Sequence, residues 1–184
     1  MILPIVKYGH PALRTKGAPV REIDNRIRQL AIDMLETMDA AHGVGLAAQQ
    51  VGIPIQLAVI DVSGIEDRPS TLAIGGKPVV IEEHMPLILL NPVLTLGKEK
   101  ESGNEGCLSF PDMNAEIVRA ATVRARAQTI EGDTLELEAT GLHSRALQHE
   151  VDHLHGILFI DRMNSAAKAS LSGKIKRLQR ENAP

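Results

Sequence analysis

The chain has 184 residues and a net charge of −3, with 43% hydrophobic and 23% charged residues. That length gives room for one full core and little more. The balance excludes a disordered chain, and no run of ~18 apolar residues is present to span a membrane. There are only three aromatics (Tyr8, Phe110 and Phe159) and no tryptophan. Single-strand nucleic-acid platforms interleave aromatics with basic residues, so nucleic-acid stacking is excluded and DNA is not an expected partner. One cysteine cannot make an internal disulfide framework. The start, Met1-Ile2-Leu3-Pro4, lacks the basic and long apolar regions of a secretory signal, which makes the cytoplasm the expected compartment.

Charge is unevenly spread. From Arg162 onward there are six basic residues against the single acid Glu181, a local charge of +5 that leaves −8 on the first 161 residues. A basic tail on an acidic body is either a solvated helix or a docking device.

In chain order, the first predicted element is a helix over residues 24–41. Asp24 is its N-cap, and Ile27, Leu30, Ala31, Met34, Met38 and Ala41 form one apolar stripe. Gly43 and Gly45 are expected to end it. A strand is expected over 55–62, with Leu57 and Val59 on one face. A loop with a surface hairpin or excursion is expected over 63–76, then two short strands, 87–90 and 93–96, broken by Asn91-Pro92. Strands 116–130 and 134–139 flank the turn Glu131-Gly132-Asp133, and Arg119, Arg124 and Arg126 suggest a wet face on the first. A helix over 144–155 stops at Gly156. Its apolar residues Ala146, Leu147, Val151 and Leu154 lie on more than one side, as in a central, buried helix. A last amphipathic helix is expected over 165–180 through Ala166, Ala169, Ile175 and Leu178. Strands cluster with helices around them and no βαβ alternation is visible, so the expected fold class is α+β.

The chemistry concentrates in three segments. In His149-Glu150-Val151-Asp152-His153 the two histidines stand one helical turn apart, so both imidazoles can reach one metal ion. Glu150 beside them suits a carboxylate that shuttles a proton for an activated water. Alone, the motif also fits a helix with polar residues in solvent. A third ligand is needed, and none is evident downstream. Upstream stands Cys107 in Glu105-Gly106-Cys107-Leu108-Ser109. A lone cysteine is ordinarily a small buried hydrophobe, and Cys–His nucleophilic catalysis leaves Glu150 and one histidine unexplained. Gly43-Val44-Gly45-Leu46-Ala47-Ala48-Gln49-Gln50 is neither a Walker loop nor a dinucleotide fingerprint, since no Lys-Ser/Thr follows and a helix precedes it.

Together, Gly-x-Gly-x-Ala-Ala-x-Gln at 43–50, Glu-Gly-Cys-Leu-Ser at 105–109 and Gln-His-Glu-x-Asp-His at 148–153 resemble the peptide deformylase family in order and residues. The likeness runs from Ile-Val-Lys-Tyr-Gly-His-Pro-x-Leu-Arg near the start to an expected strand after Gly156. It implies one catalytic domain over 1–184, of which 162–184 is a basic C-terminal helix. Antiparallel β-sheets are packed around a central metal-binding helix, with helices near both ends. The implied reaction is hydrolytic removal of the N-formyl group from the formyl-methionine of nascent polypeptides, releasing formate. By the resemblance Cys107, His149 and His153 hold Fe(II), for which Zn(II) or Ni(II) can substitute. A metal-bound water attacks the formyl carbonyl with Glu150 as general acid/base, while Gln50 and the Leu108 N–H polarise that carbonyl. Val44, Gly45, Leu142, Arg145 (through its aliphatic stem) and Ala146 bind substrate. The ribosome is an expected partner through the basic helix. The competing readings are a zincin-type endopeptidase, which needs a downstream ligand, and a structural metal or ribosome-binding module, which needs a closed four-ligand site.

Overall fold

A computed structural model describes all 184 residues. Four helices and nine strands follow in the order α1 (Asn25–Ala40), β1 (Gly45–Ala47), β2 (Leu57–Ile60), β3 (Ser70–Ile74), β4 (Lys77–Val79), β5 (Leu87–Leu96), β6 (Lys100–Cys107), β7 (Phe110–Ala120), β8 (Thr122–Gln128), β9 (Thr134–Thr140), α2 (Gly141–Leu154), α3 (Phe159–Arg162) and α4 (Ser165–Asn182). Seven strands form one antiparallel sheet in the order β1-β2-β5-β8-β9-β3-β4, and β6 and β7 form a separate two-stranded ribbon. The fold is α+β.

α2 packs against strands of the large sheet on one side and against β7 of the ribbon on another. Eleven of its fourteen residues are buried, as expected for apolar positions spread round the helix. Leu142, Ala146 and Leu147 join Leu72, Leu89, Val123 and Leu137 in one cluster against the large sheet. α1 covers the β1–β2 edge through Ala31, Met34 and Met38 on Leu46, Leu57 and Val59. All three aromatics meet in a third cluster: Tyr8 and Phe110 stack at 4.9 Å, and Phe159 meets Phe110 edge-on at 5.1 Å. α4 closes this cluster through buried Leu178, with Leu171 and Ile175 partly buried beside it.

Several elements differ from the expectation, each for a local reason. Asp24 does cap α1, accepting from the Arg26 and Ile27 N–H groups, an arrangement typically worth ~1 kcal/mol. The helix, however, ends through His42, which adopts φ 54°, and Gly45 already belongs to β1. Residues 87–96 are one strand with a bulge at Asn91-Pro92 instead of two. The expected strand 116–130 is split at Ala121 between the ribbon and the large sheet. Arg124 and Arg126 do face water, paired with Glu138 and Glu136, but Arg119 is buried. The hairpin of the 63–76 region is β3–β4, and β3 is built into the large sheet against β9. α2 begins at Gly141, ahead of Ser144. The segment after Gly156 is the short helix α3, not a strand. On α4 the inward stripe is Ala167, Leu171, Ile175 and Leu178; Ala166 and Ala169 are exposed.

Candidate active site

His149 and His153 project from the same side of α2, with ring centroids 5.0 Å apart. Cys107 is delivered by the end of β6. There the β6–β7 register shifts between Gly106 and Cys107, and the chain turns through Leu108 and Ser109. Its Sγ lies 3.4 Å from His153 Nε2. The ligand atoms of Cys107, His149 and His153 all lie within 4.8 Å of one another. One thiolate and two imidazoles are a donor set for a divalent ion, and three protein ligands leave the open position that a catalytic site keeps. The chemistry of the donors therefore fits such an ion.

A buried carboxylate orients this set. Glu105 Oε1 lies 2.8 Å from His149 Nδ1, which leaves Nε2 as the free ring nitrogen. Arg119 grips both oxygens of Glu105 at 2.9 Å, and Arg145 Nη1 donates to Oε2 at 2.8 Å. Burial would raise the Glu105 pKa, but Arg119 and His149 hold the group well below the usual carboxylate range. Arg119 also donates to Asp152, which in turn binds Arg162 on α3. His149 keeps a raised pKa: burial opposes this, but the Cys107 sulfur and Glu105 outweigh it. Burial, with His149 facing it, holds His153 well below the ordinary range.

Glu150 is buried beside the pair. Desolvation pushes its carboxyl up to about 7, and Oε2 has no hydrogen-bond partner. It lies directly behind β1: a Cβ on Gly45 would stand 2.5 Å from Glu150 Oε1. A side chain at this position would displace the Glu150 carboxylate. Gln50 follows on a 3-10 turn, Ala48–Val51. Its Oε1 accepts the Ala47 N–H, which aims the Nε2 amide group at Cys107 Sγ (3.6 Å) and Ser109 Oγ (3.3 Å). Lys7 Nζ donates to the Leu108 carbonyl at 2.8 Å and so pins the turn after the cysteine.

These groups open onto a cavity of about 670 Å³, within the range of small-ligand sites. Over residues 2–169 the chain matches the family described as Polypeptide deformylase. It is 49% identical to the peptide deformylase of Methylacidiphilum infernorum over 183 residues, covering 100% of this chain and 96% of the relative. The relative from Opitutus terrae is 42% identical, covering 97% and 93% of the two chains. Among solved structures, the peptide deformylase of Thermus thermophilus superposes with a TM-score of 0.82 at 36% identity, covering 98% and 99%. Arabidopsis thaliana peptide deformylase 1B gives 0.84 at 32%, covering 97% and 91%.

The chain belongs to the polypeptide deformylase family. It is therefore a hydrolase of the deformylase class. Of the residues singled out from the sequence, Val44, Gly45, Gln50, Cys107, Leu108, Leu142, Arg145, Ala146, His149 and Glu150 all line the cavity. His153 stands behind them as the third member of the cluster. Arg145 lines the cavity with its guanidinium buried and spent on Glu105, Ile117 O and Glu101 O.

Sequence reasoning missed Glu105, Arg119 and Lys7 in this deformylase. Glu105 stands two residues before Cys107, the spacing that shares a strand face. Recognising β6 as a strand would have exposed it. Arg119, read as solvent-facing, has no signal of its own. Its partner lies 14 residues away across the ribbon.

Proposed function

We propose that this deformylase removes the N-formyl group from the formyl-methionine of nascent polypeptides, releasing formate. The observation that carries the reading is the convergence of Cys107, His149 and His153 beside a buried carboxylate, Glu150, whose Oε2 is unpartnered. In this reading the three side chains hold Fe(II), for which Zn(II) or Ni(II) can substitute. Affinity order by itself favours zinc over iron in such an N/S site, so metal supply sets occupancy. When bound, the ion supplies Lewis acidity and lowers the pKa of its water to about 7.

The chain's own residues do the rest. Glu150 accepts the water proton at its free oxygen and returns it to the departing amine. Gln50 Nε2 and the Leu108 N–H donate to the formyl oxygen as negative charge builds on it. The Leu108 N–H has no protein acceptor, and each such donor is typically worth ~2.7–4 kcal/mol in the transition state. Glu105 keeps His149 in one tautomer and one orientation. Val44, Leu142, Ala146 and the stem of Arg145 receive the methionine side chain, and Gly45 lets the substrate approach the β1 backbone.

The reading takes residues 1–184 as one catalytic domain in the cytoplasm, where nascent chains emerge. No helix is long and apolar enough to cross a membrane. α4 seats Leu178 in the core while Lys168, Lys174, Lys176, Arg177 and Arg180 are exposed. That outer face docks on ribosomal RNA phosphates in this reading.

Anaerobic incubation with formyl-Met-Ala-Ser and detection of formate tests the reaction, with casein as the parallel substrate. Formate release without casein cleavage is expected. Casein cleavage, or full metal content with no formate, would overturn the proposal.

A further inference from the structure

Arg68 lies between β2 and β3, outside the cluster of Cys107, His149, His153 and Glu150. Arg68 lines the same cavity as Glu150. Of its five N–H donors, one is engaged, with Nη2 donating to the Asn104 carbonyl on β6 at 3.0 Å. Arg145, the other arginine of the cavity wall, is paired with Glu105. Arg68 has no carboxylate within ion-pair distance. Glu105 is consumed by Arg119, Arg145 and His149, and Asp112, on the cavity rim, makes no ion pair either. One arginine of the cavity is thus left with most of its donors free.

Its position is held by the helix that carries the site. The two residues after Arg68 are tied to the first turn of α2. Pro69 O accepts from the Leu142 N–H at 3.4 Å, and Ser70 Oγ accepts from the His143 N–H at 2.9 Å. Gly141 takes φ +64°, and a Cβ there would stand 2.0 Å from Pro69 O, so the loop lies directly on the helix start. From that start, Leu142 and Ala146 line the cavity one turn apart, and His149 and Glu150 follow. Leu142 and Ala146 are also the wall assigned above to the methionine side chain. In an extended peptide, side chains two residues apart share a face and lie ~7 Å from each other. With residue one against Leu142 and Ala146, residue three lies over the same wall at its outer end, where Arg68 reaches across to Asn104.

We propose that Arg68 is a specificity-determining residue that receives a carboxylate at the third residue of the formylated peptide. The proposal rests on the deformylase reading for the orientation of the peptide. The carboxylate comes either from an acidic third side chain or from the chain end of a tripeptide, and the chemistry at the guanidinium is the same.

Calorimetric titration separates the two sources. Zinc-loaded Glu150→Gln protein binds without turning the peptide over. It is titrated with formyl-Met-Ala-Asp-amide, formyl-Met-Ala-Asn-amide, and formyl-Met-Ala-Ser as free acid and as amide. The Asp peptide is expected to bind about 3- to 10-fold tighter than its Asn counterpart at low salt, with the advantage shrinking as salt rises. An advantage seen only for the free acid of the Ser peptide supports the proposal with the chain end as the source. Adding Arg68→Ala should bring the ratios to about one, and Arg68→Lys should keep part of them. Arg68→Gln, which can still donate to Asn104, should also lose them, which distinguishes lost charge from lost loop structure. Equal binding of acid and neutral peptides, a preference that survives Arg68→Ala, or no peptide binding would overturn the proposal. An Arg68-dependent preference in a protein whose Glu150-intact form releases no formate would sink the deformylase reading and leave the carboxylate site standing.

Discussion

Glu105 and His149 meet through Oε1 and Nδ1 at 2.8 Å, and the same carboxylate is clamped from behind by Arg119 and Arg145. The ribbon β6–β7 and the helix α2 are thereby locked together at the point where each contributes to the candidate metal site.

Removing this carboxylate is expected to have two separable effects. Glu105→Gln keeps an acceptor for His149 but loses the charge between two buried guanidinium groups. Metal affinity should fall by roughly 10–100-fold, as for other partners of metal-ligating histidines. Glu105→Ala should also destabilise the protein by about 3–5 kcal/mol, the usual result of stranding buried charge. Competition with a chelator measures the first effect and urea unfolding the second. Unchanged metal affinity in Glu105→Gln would show that His149 needs no orienting partner.

Metal binding and proton transfer should separate at Cys107 and Glu150. Cys107→Ala removes a thiolate, so metal content and turnover fall together. Glu150→Gln leaves the three donors in place and should keep its metal while turnover drops by at least ~10²–10⁴-fold. Metal per protein by elemental analysis, read beside formate release, decides this. Loss of metal in Glu150→Gln would make Glu150 a ligand.

Gly45→Ala places a methyl group where Glu150 Oε1 now lies, 2.5 Å from the new Cβ. The carboxylate has to move, because β1 is held in the large sheet by β2. The variant is expected to fold, to bind metal, and to lose activity about as severely as Glu150→Gln. Near-normal turnover would show that the position of Glu150 is not critical.

His143 gives a stability prediction independent of catalysis. Its ring is fully buried, neither nitrogen has a partner, and burial lowers its pKa from 6.5 to about 4. An unfolded chain takes up this proton below about pH 6.5, whereas the folded chain does so only near 4. Stability is therefore lost as pH falls through that window, by at most ~3 kcal/mol. His143→Leu should be at least as stable at pH 7, since no unpaired polar atoms are buried. It should also lose less stability between pH 6.5 and 4.5. Parallel pH slopes in urea unfolding would contradict this.

The α4 face calls for charge reversal, not truncation. Deleting residues 172–184 would remove Leu178 from the aromatic cluster and unfold part of the core. Lys168→Glu, Lys174→Glu and Lys176→Glu change only exposed positions. They should leave formyl-peptide turnover intact while reducing co-sedimentation with ribosomes at low salt. Co-sedimentation equal to the parent at low and high salt would end the docking idea.

What could be read along the chain is what depends on near neighbours. A helix closes its hydrogen bonds four residues back, so α1 with its Asp24 cap, the one-turn spacing of His149 and His153, and the stop at Gly156 were all legible in short windows. The motif residues themselves, including Cys107 and Gln50, were recognisable by kind and order.

Strand pairing is not local, and the losses concentrate there. β6 carries few apolar residues on either side, its inward positions being Gly103, Glu105 and Cys107, so the period that marks a strand is missing; only its pairing with β7 makes it one. The break at Ala121 is invisible because residues on both sides of it alternate in the same way, and it is their partners that differ. Arg119 looked like one more solvent-facing arginine until folding placed Glu105 and Asp152 against it. Burying that charge is tolerable only beside those two carboxylates, 14 and 33 residues away in sequence. The ends of the metal cluster, Cys107 and His153, are separated by 46 residues. Their donor types could be read from the chain, whereas the approach of Sγ to 3.4 Å from Nε2 exists only because the ribbon packs on α2.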